Sequence, residues 1–496
     1  MTKTHLLVAC GLVGLLAAAP ASAQHAGHAG HVMPAPNAPQ PAPEPVQATA
    51  TTPQTEGAVP TAADPHAGHD MPAADPHPGH TMQAADPHAG HDMAAMQQGT
   101  GEHDGHAMGA GMSGAFGPYL SSRETSGTAW QPDAGEHRGV MRTVGDWHLM
   151  GHADLQAVYS RQGGRRGDDK AFVSGMVMGM ARRPVGNGTL QLRAGFSPDP
   201  LMGRSGYPLL LASGETANGR DRLIDRQHPH DFVMELSASL SQRITDKASV
   251  FVYGGLPGEP AFGPGAFMHR ESIMDSPEAP ISHHWLDSQH ITFGVVTGGL
   301  VLDRVKLEAS RFNGREPDQR RWNIETGPLD STALRVSWNP THELALQASW
   351  ADLKDPEQLE PGVDQTRWSA SGIYIRELAG GRRWASTLAW GRRTAEGRSY
   401  DAFVAESSLK SGLWTFFGRG EVTENNELLD TGDHHGPAYR VGKVSAGAVR
   451  DFTISPSARL GVGGLMSLNF VPDGLEEEYG SSTPLGAMAF VRLKLG

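Results

Sequence analysis

Cysteine is nearly missing from this chain: the single one among 496 residues is Cys10. It lies in an N-terminal stretch that reads as a secretory signal, with Lys3, an apolar run from Leu6 to Ala19, and small residues up to a cleavage point after Ala23. Leu7-Val8-Ala9-Cys10-Gly11 also resembles a lipoprotein box, but cutting there would leave most of the apolar run on the mature chain. Loss of residues 1–23 leaves no disulfide and no thiolate, so any metal site must be built from His, Met, Asp and Glu. No Lys or Arg occurs between Lys3 and Arg123. A net charge of -13 argues against nucleic acid as a partner. Beyond the leader no apolar run reaches the roughly 18 residues of a membrane helix, a test that a β-barrel escapes.

What is there divides near residue 115. From Gln24 to about Gly114 the chain is Ala, Pro, Gly, His and Met with scattered acids and almost no aromatics. Such a composition buries too little apolar surface to offset its ordering entropy, so residues 24–114 are expected to be a disordered tail. Residues 115–145 read as a linker and 146–496 as one large domain.

That domain has period two. Trp147, Leu149, Gly151, Ala153, Leu155 and Ala157 share one face, and His148, Met150, His152, Asp154 and Gln156 the other. Leu334, Val336 and Trp338 oppose Arg335 and Ser337, and Leu344, Leu346, Ala348 and Trp350 oppose Glu343, Gln347 and Ser349. Sixteen candidate strands centre near 152, 177, 191, 236, 250, 296, 308, 334, 346, 371, 387, 405, 416, 445, 463 and 490. Links after even-numbered strands are short turns, such as Thr245-Asp246-Lys247 and Asn339-Pro340-Thr341. Most links after odd-numbered strands are long, notably 197–227, 254–288, 313–328 and 421–437. Alternation of short and long links, with Trp338, Trp350, Trp384 and Trp390 near strand ends, is the pattern of an all-β, antiparallel transmembrane barrel of the outer-membrane kind, with about 16 strands (range 12–16). An even count returns both ends of the barrel to the periplasm, where the tail would lie. Membrane lipid is then an obligatory partner.

The tail carries one unit three times at an eleven-residue period: His66, His69 and Met71, then His77, His80 and Met82, then His88, His91 and Met93. Looser relatives are His25, His28, His31 and Met33 on one side and His103, His106 and Met108 on the other. Two imidazoles three residues apart, with a thioether two further on, can fold back onto one ion. Imidazole suits Cu, Zn and Ni, whereas thioether is soft and selects Cu(I). The expected ion is therefore copper, as Cu(I), Cu(II) or both, with silver and zinc as alternatives.

Inside the barrel, His148, Met150 and His152 fall on the polar face and are expected to line the lumen. Met176, Met178 and Met180 share a face of the second strand, and the lipid side is preferred for them. The long loops hold a further set: His228 and His230 in one, Met268, His269, His283 and His284 in the next, and His290 at the start of a strand, pointing inward. His434 and His435 lie in a later loop. These loops would form a metal site where they fold into the barrel mouth. Other readings stay open: a passive pore or adhesin with the tail as spacer, or an outer-membrane hydrolase using His228, His230 and Asp231, although no G-x-S-x-G nucleophile motif occurs. An enzyme is not expected.

The His-x-Gly-His-x-Met units at 66–71, 77–82 and 88–93, followed by a barrel, resemble the copper resistance protein B type of outer-membrane protein. The resemblance covers the tail and the domain order. It implies copper binding and a part in copper tolerance through periplasmic capture, sequestration or export, with periplasmic copper-handling proteins as possible partners.

Overall fold

A computed structural model describes residues 113–136, 139–429 and 436–496. The repeat units of the tail, from His25 to Met108, and His434 and His435 lie outside them.

The described chain contains β1 (Val140–Val144), β2 (Trp147–Gln162), β3 (Asp169–Val185), β4 (Gly188–Phe196), β5 (Tyr207–Thr216), β6 (Arg222–Gln227), β7 (Val233–Thr245), β8 (Ala248–Gly255), β9 (Val295–Leu302) and β10 (Val305–Phe312). It continues with β11 (Ser331–Trp338), β12 (Leu344–Leu353), β13 (Gln365–Leu378), β14 (Arg382–Ala395), β15 (Arg398–Ser411), β16 (Trp414–Asn425), β17 (Tyr439–Ser455), β18 (Ala458–Phe470) and β19 (Leu485–Leu495). All except β5 and β6 belong to one 17-stranded antiparallel sheet. Sixteen of those strands form a closed cylinder, because β19 pairs with β2 from Gly486↔Gln162 to Leu495↔Ala153. The short β1 pairs with the first residues of β2, Trp147 to Gly151, beyond the end of β19. Every expected strand is present, and the even count puts both ends of the cylinder's chain at the short-turn rim.

The wall alternates as period two requires. Leu334, Val336 and Trp338 are 47%, 48% and 48% exposed, while Arg335 and Ser337 between them are buried. Exposed aliphatic rows on neighbouring strands would be an aggregation hazard in water and are the natural outer face of a barrel in lipid. Outward aromatics gather at two heights. Trp338, Trp384 and Trp414 stand near the short turns, and the directly paired Trp350 and Trp368 stand with Trp390 near the long loops. These are the two interfacial belts of a membrane barrel.

Inward side chains meet three inserts. The first is residues 113–136, which the sequence suggests to be part of a linker. They are packed inside the short-turn end: Phe116 lies against Phe251 with ring centres 4.6 Å apart, and Arg123 stacks over Tyr119 and Trp130 while bonding Asp133 at 2.6 Å. Buried Glu124 pairs with Arg182 of β3, and Arg335 of β11 donates to Thr128 Oγ1 at 2.8 Å. Charged wall residues that need partners in a low dielectric thus find them on this plug. The second insert is the β5–β6 hairpin, whose Leu209, Leu210 and Leu211 are almost fully buried against Val158, Phe172, Phe417 and Val441. The third is loop 256–294, anchored by Arg270 between Asp287 (2.5 Å) and Glu406 (2.6 Å), and by Glu278 between Lys443 (2.5 Å) and Arg419 (3.3 Å).

The preferred lipid side for the β3 methionines is not what the barrel has. Met176 is buried in a cluster with Met234, Ile291 and Phe293, against which Met178 also packs. Val177, of opposite parity, is 43% exposed. Arg182 shares parity with Met176, Met178 and Met180, and it is Arg182 that must face the lumen, so all three methionines turn inward with it.

Candidate metal centre

The second and third inserts bring five histidines together. His228 and His230 leave β6 on either side of Pro229, and an extended segment sends residues two apart in sequence along its length to different neighbours. His283 and His284 open a single helical turn, His283–Leu286, and His290 closes a 3-10 turn, Ser288–His290. His290 therefore belongs to the loop, because its strand begins only at Val295. Ring centres of His228, His283 and His284 form a triangle with sides 6.0, 5.6 and 5.7 Å. His290 lies 5.2 Å from His283 and 5.1 Å from His230.

Each ring is held through Nδ1. Asp199 Oδ2 is 2.8 Å from that of His230, Asp287 Oδ1 2.8 Å from that of His283, Glu316 Oε1 3.2 Å from that of His284, and Glu215 Oε1 3.2 Å from that of His228. His290 Nδ1 is 2.7 Å from the Asp287 carbonyl oxygen. When Nδ1–H donates to such a partner, the lone pair sits on Nε2, the arrangement by which carboxylates orient metal-ligating imidazoles. The Nε2 atoms of His228, His230, His283 and His290 are all buried and have no hydrogen-bond partner. A buried polar atom left unsatisfied costs about 1–3 kcal/mol, and four such atoms lie in this cluster, although no three imidazole nitrogens come within 4.8 Å of one another. Imidazoles sharing an ion at nitrogen–metal distances of about 2 Å have ring centres about 5 Å apart, a spacing that the His283–His290 and His230–His290 pairs match and the wider His228–His283–His284 triangle does not.

Electrostatics agree with that role for most of the set. Burial, and then the Arg321 guanidinium, hold the His228 proton affinity well below the ordinary value. Burial and the neighbouring imidazoles of His230 and His283 do the same to His290. Burial lowers His283 too, against the pull of Asp287. These rings are neutral at pH 7 and need lose no proton to bind a cation. His284 goes the other way: burial disfavours its proton, but the Glu316 carboxylate outweighs burial and raises its affinity.

The β5–β6 hairpin is bent to serve this cluster. Glu215 takes a left-handed φ of +53°, uncommon for a residue with a side chain, pairs with Arg321 and lies 3.2 Å from His228 Nδ1. Gly214 beside it has φ +117°, and a Cβ there would lie 2.7 Å from His284 Nε2. Only glycine lets the hairpin pass so close to the ring.

Among the described residues, the three His, Asp or Glu side chains whose ligand atoms all lie within 4.8 Å of one another are Glu357, Glu360 and Glu427, not the histidines. Arg222 lies 2.8 Å from Glu360 and 2.6 Å from Glu427, and Arg393 lies 2.8 Å from Glu427 and 3.2 Å from Glu357. Two guanidiniums already neutralise these acids, so this is an ion-pair network and not an empty cation site.

The remaining candidates lie on the β2 wall and in the third insert. His148 is exposed near the start of β2, its Nδ1 3.3 Å from Thr143 Oγ1. Met150 and His152 follow at the same parity, and the buried Nδ1 of His152 has no partner. His269, in the third insert, has its proton affinity pushed down to about 3 by burial, His152 and Arg193. Met268 packs partly buried beside Met176. Thus the loop histidines His228, His230, His283, His284 and His290 converge, whereas His148 stands apart from them. The orienting carboxylates Asp199, Glu215 and Glu316 escape sequence reasoning, because each lies in a link with no local motif.

No family model and no curated protein matches this chain. Among solved structures it is similar in architecture to OmpF of Salmonella typhi (10% identity, TM-score 0.44, covering 72% of this chain and 100% of that one). OmpT of Vibrio cholerae (10%, 0.41, 72% and 100%) and an anion-selective porin of Comamonas acidovorans (10%, 0.40, 70% and 100%) resemble it at a similar level. Likenesses this distant carry no functional inference.

Proposed function

We propose that this protein is a copper-binding barrel of the outer membrane that contributes to copper tolerance. Its His/Met tail captures copper in the periplasm, and the imidazole cluster within the barrel binds the ion for sequestration or export. One observation carries the barrel's part in this: four buried Nε2 atoms without partners, on rings whose Nδ1 atoms are fixed by carboxylates or a backbone carbonyl. Support for the membrane comes from the exposed apolar rows and the two aromatic belts. Support for copper comes from the tail's thioethers beside imidazoles and from its resemblance to copper resistance protein B. A passive pore fits less well, since a plug, a hairpin and a loop occupy the lumen.

The test is a deletion strain grown on graded copper, zinc and silver, complemented with the wild type or with His228→Ala/His283→Ala/His290→Ala. Copper sensitivity that the wild type relieves and the triple variant relieves only in part is expected. Equal copper tolerance with and without the gene would end the proposal.

A further inference from the structure

The imidazole cluster leaves unused the sulfur donors beside it. A cavity of about 50 Å³ lies between the lumen faces of β2 and β3 and the inserts. Three thioethers, Met176, Met268 and Met274, line it together with His228 and His230. Both histidines are 7% exposed, and the Nε2 of each is buried without a partner. Methionine as mere filling accounts for the contacts of Met176 with Ile291 and Phe293. It does not account for two lining histidines that each carry an unsatisfied nitrogen, around a cavity large enough to admit an ion or a water. Two carboxylates on the wall are already engaged, Asp199 by His230 at 2.8 Å and Asp154 by Lys494 at 3.3 Å. What remains is neutral: the three thioethers, the two imidazoles and the unpartnered amide oxygen of Gln156. Neutral sulfur and nitrogen donors compensate poorly for the desolvation of a divalent ion and suit a monovalent d¹⁰ cation.

The wall below continues the donor set. On the lumen faces of β2 and β3, Met150 pairs with Met180, His152 with Met178 and Asp154 with Met176. The rungs follow one another at about 7 Å from the short-turn rim to the cavity.

We propose that this cavity is a site for a monovalent soft cation, Cu(I) or Ag(I), held by the thioethers of Met176, Met268 and Met274 with the imidazole of His230, at the end of a Met/His ladder rising from the short-turn rim. The inference rests on the reading of the barrel as a copper-handling protein and adds the oxidation state and the route. The cavity takes the monovalent ion. The neighbouring rings of His283, His284 and His290, with carboxylates around them, suit a divalent one.

The experiment measures silver and zinc bound by the full-length protein in detergent, using equilibrium dialysis in chloride-free buffer against a competing chelator. Wild type is compared with Met176→Leu/Met268→Leu/Met274→Leu, a near volume-conserving change. Heat-modifiable gel mobility verifies that the barrel has formed, and the single variant Met274→Leu serves if the triple variant does not fold. The triple variant is expected to lose one tightly held silver ion per chain and to keep its full zinc count; Met274→Leu is expected to weaken that ion's binding. An unchanged silver isotherm in a folded variant overturns the soft-metal site while leaving the imidazole cluster intact. If wild type binds no more silver or zinc than a chain lacking both the three methionines and the five cluster histidines, the parent reading of the barrel falls with it.

Discussion

At the scale of single residues the cluster is governed by second partners rather than by the histidines alone. Asp199→Asn keeps a hydrogen-bond acceptor beside His230 but removes the charge that fixes its tautomer. Losing such an outer partner typically weakens metal affinity 10–100-fold, and that loss is expected for Ag(I) at the cavity that His230 shares with the three methionines, in competition with a chelator. Unchanged affinity would show that His230 is not a ligand. Gly214→Ala is expected to be worse than an ordinary surface change, since the backbone at φ +117° disfavours a side chain and the new methyl group meets His284. A cost of about 1–3 kcal/mol is expected in urea unfolding, with a parallel loss of divalent-metal binding. The histidines themselves were legible in sequence. Their convergence was not, because it depends on Asp199 and Glu215 in one long link and Glu316 in another, acids that become neighbours only when the lumen fills.

At the scale of elements, the strands were the legible part. Period-two alternation over about ten residues and the rhythm of short and long links are local signals, and all sixteen wall strands sit where those signals put them. The face of β3 was the exception, since methionine is apolar enough for either side. The deciding signal was present nonetheless: Lys170, Ser174 and Arg182 share parity with Met176, Met178 and Met180, and polar residues choose the lumen. Leu388 tests the outward assignment. It lies at the middle of the 14-residue β14, is 66% exposed, and alternates with the fully buried Thr387. An exposed leucine in water tolerates arginine within about 0.5 kcal/mol, whereas the lipid face of a barrel near the bilayer centre pays roughly 2–4 kcal/mol. Leu388→Arg is therefore expected to lower unfolding free energy in phospholipid vesicles by about 2–4 kcal/mol, and a near-neutral result would contradict the lipid-facing wall.

At the scale of the whole molecule, what matters is that the cylinder is filled from both ends. Residues 113–136 close the short-turn end, and their neighbours in sequence are the His/Met units of the tail. The return of Tyr119, Arg123, Glu124, Trp130 and Asp133 after a hundred residues with almost no aromatic or basic side chain was the available sign that this stretch folds. Its position inside the wall follows only from ion pairs with Arg182 and contacts with Lys306 and Arg335, distant in sequence. The plug also touches the third insert directly, since Thr125 Oγ1 donates to the His269 carbonyl at 3.3 Å and Ala266 N donates to Ser126 Oγ at 2.8 Å. A barrel so packed is expected to show no porin-like conductance in planar bilayers, whereas deletion of residues 24–136 should produce discrete steps, provided heat-modifiable mobility shows the cylinder still closed. Large steady conductance from the intact chain would mean that the inserts do not seal the lumen. The imidazole cluster would then be the lining of an open channel rather than a buried binding site.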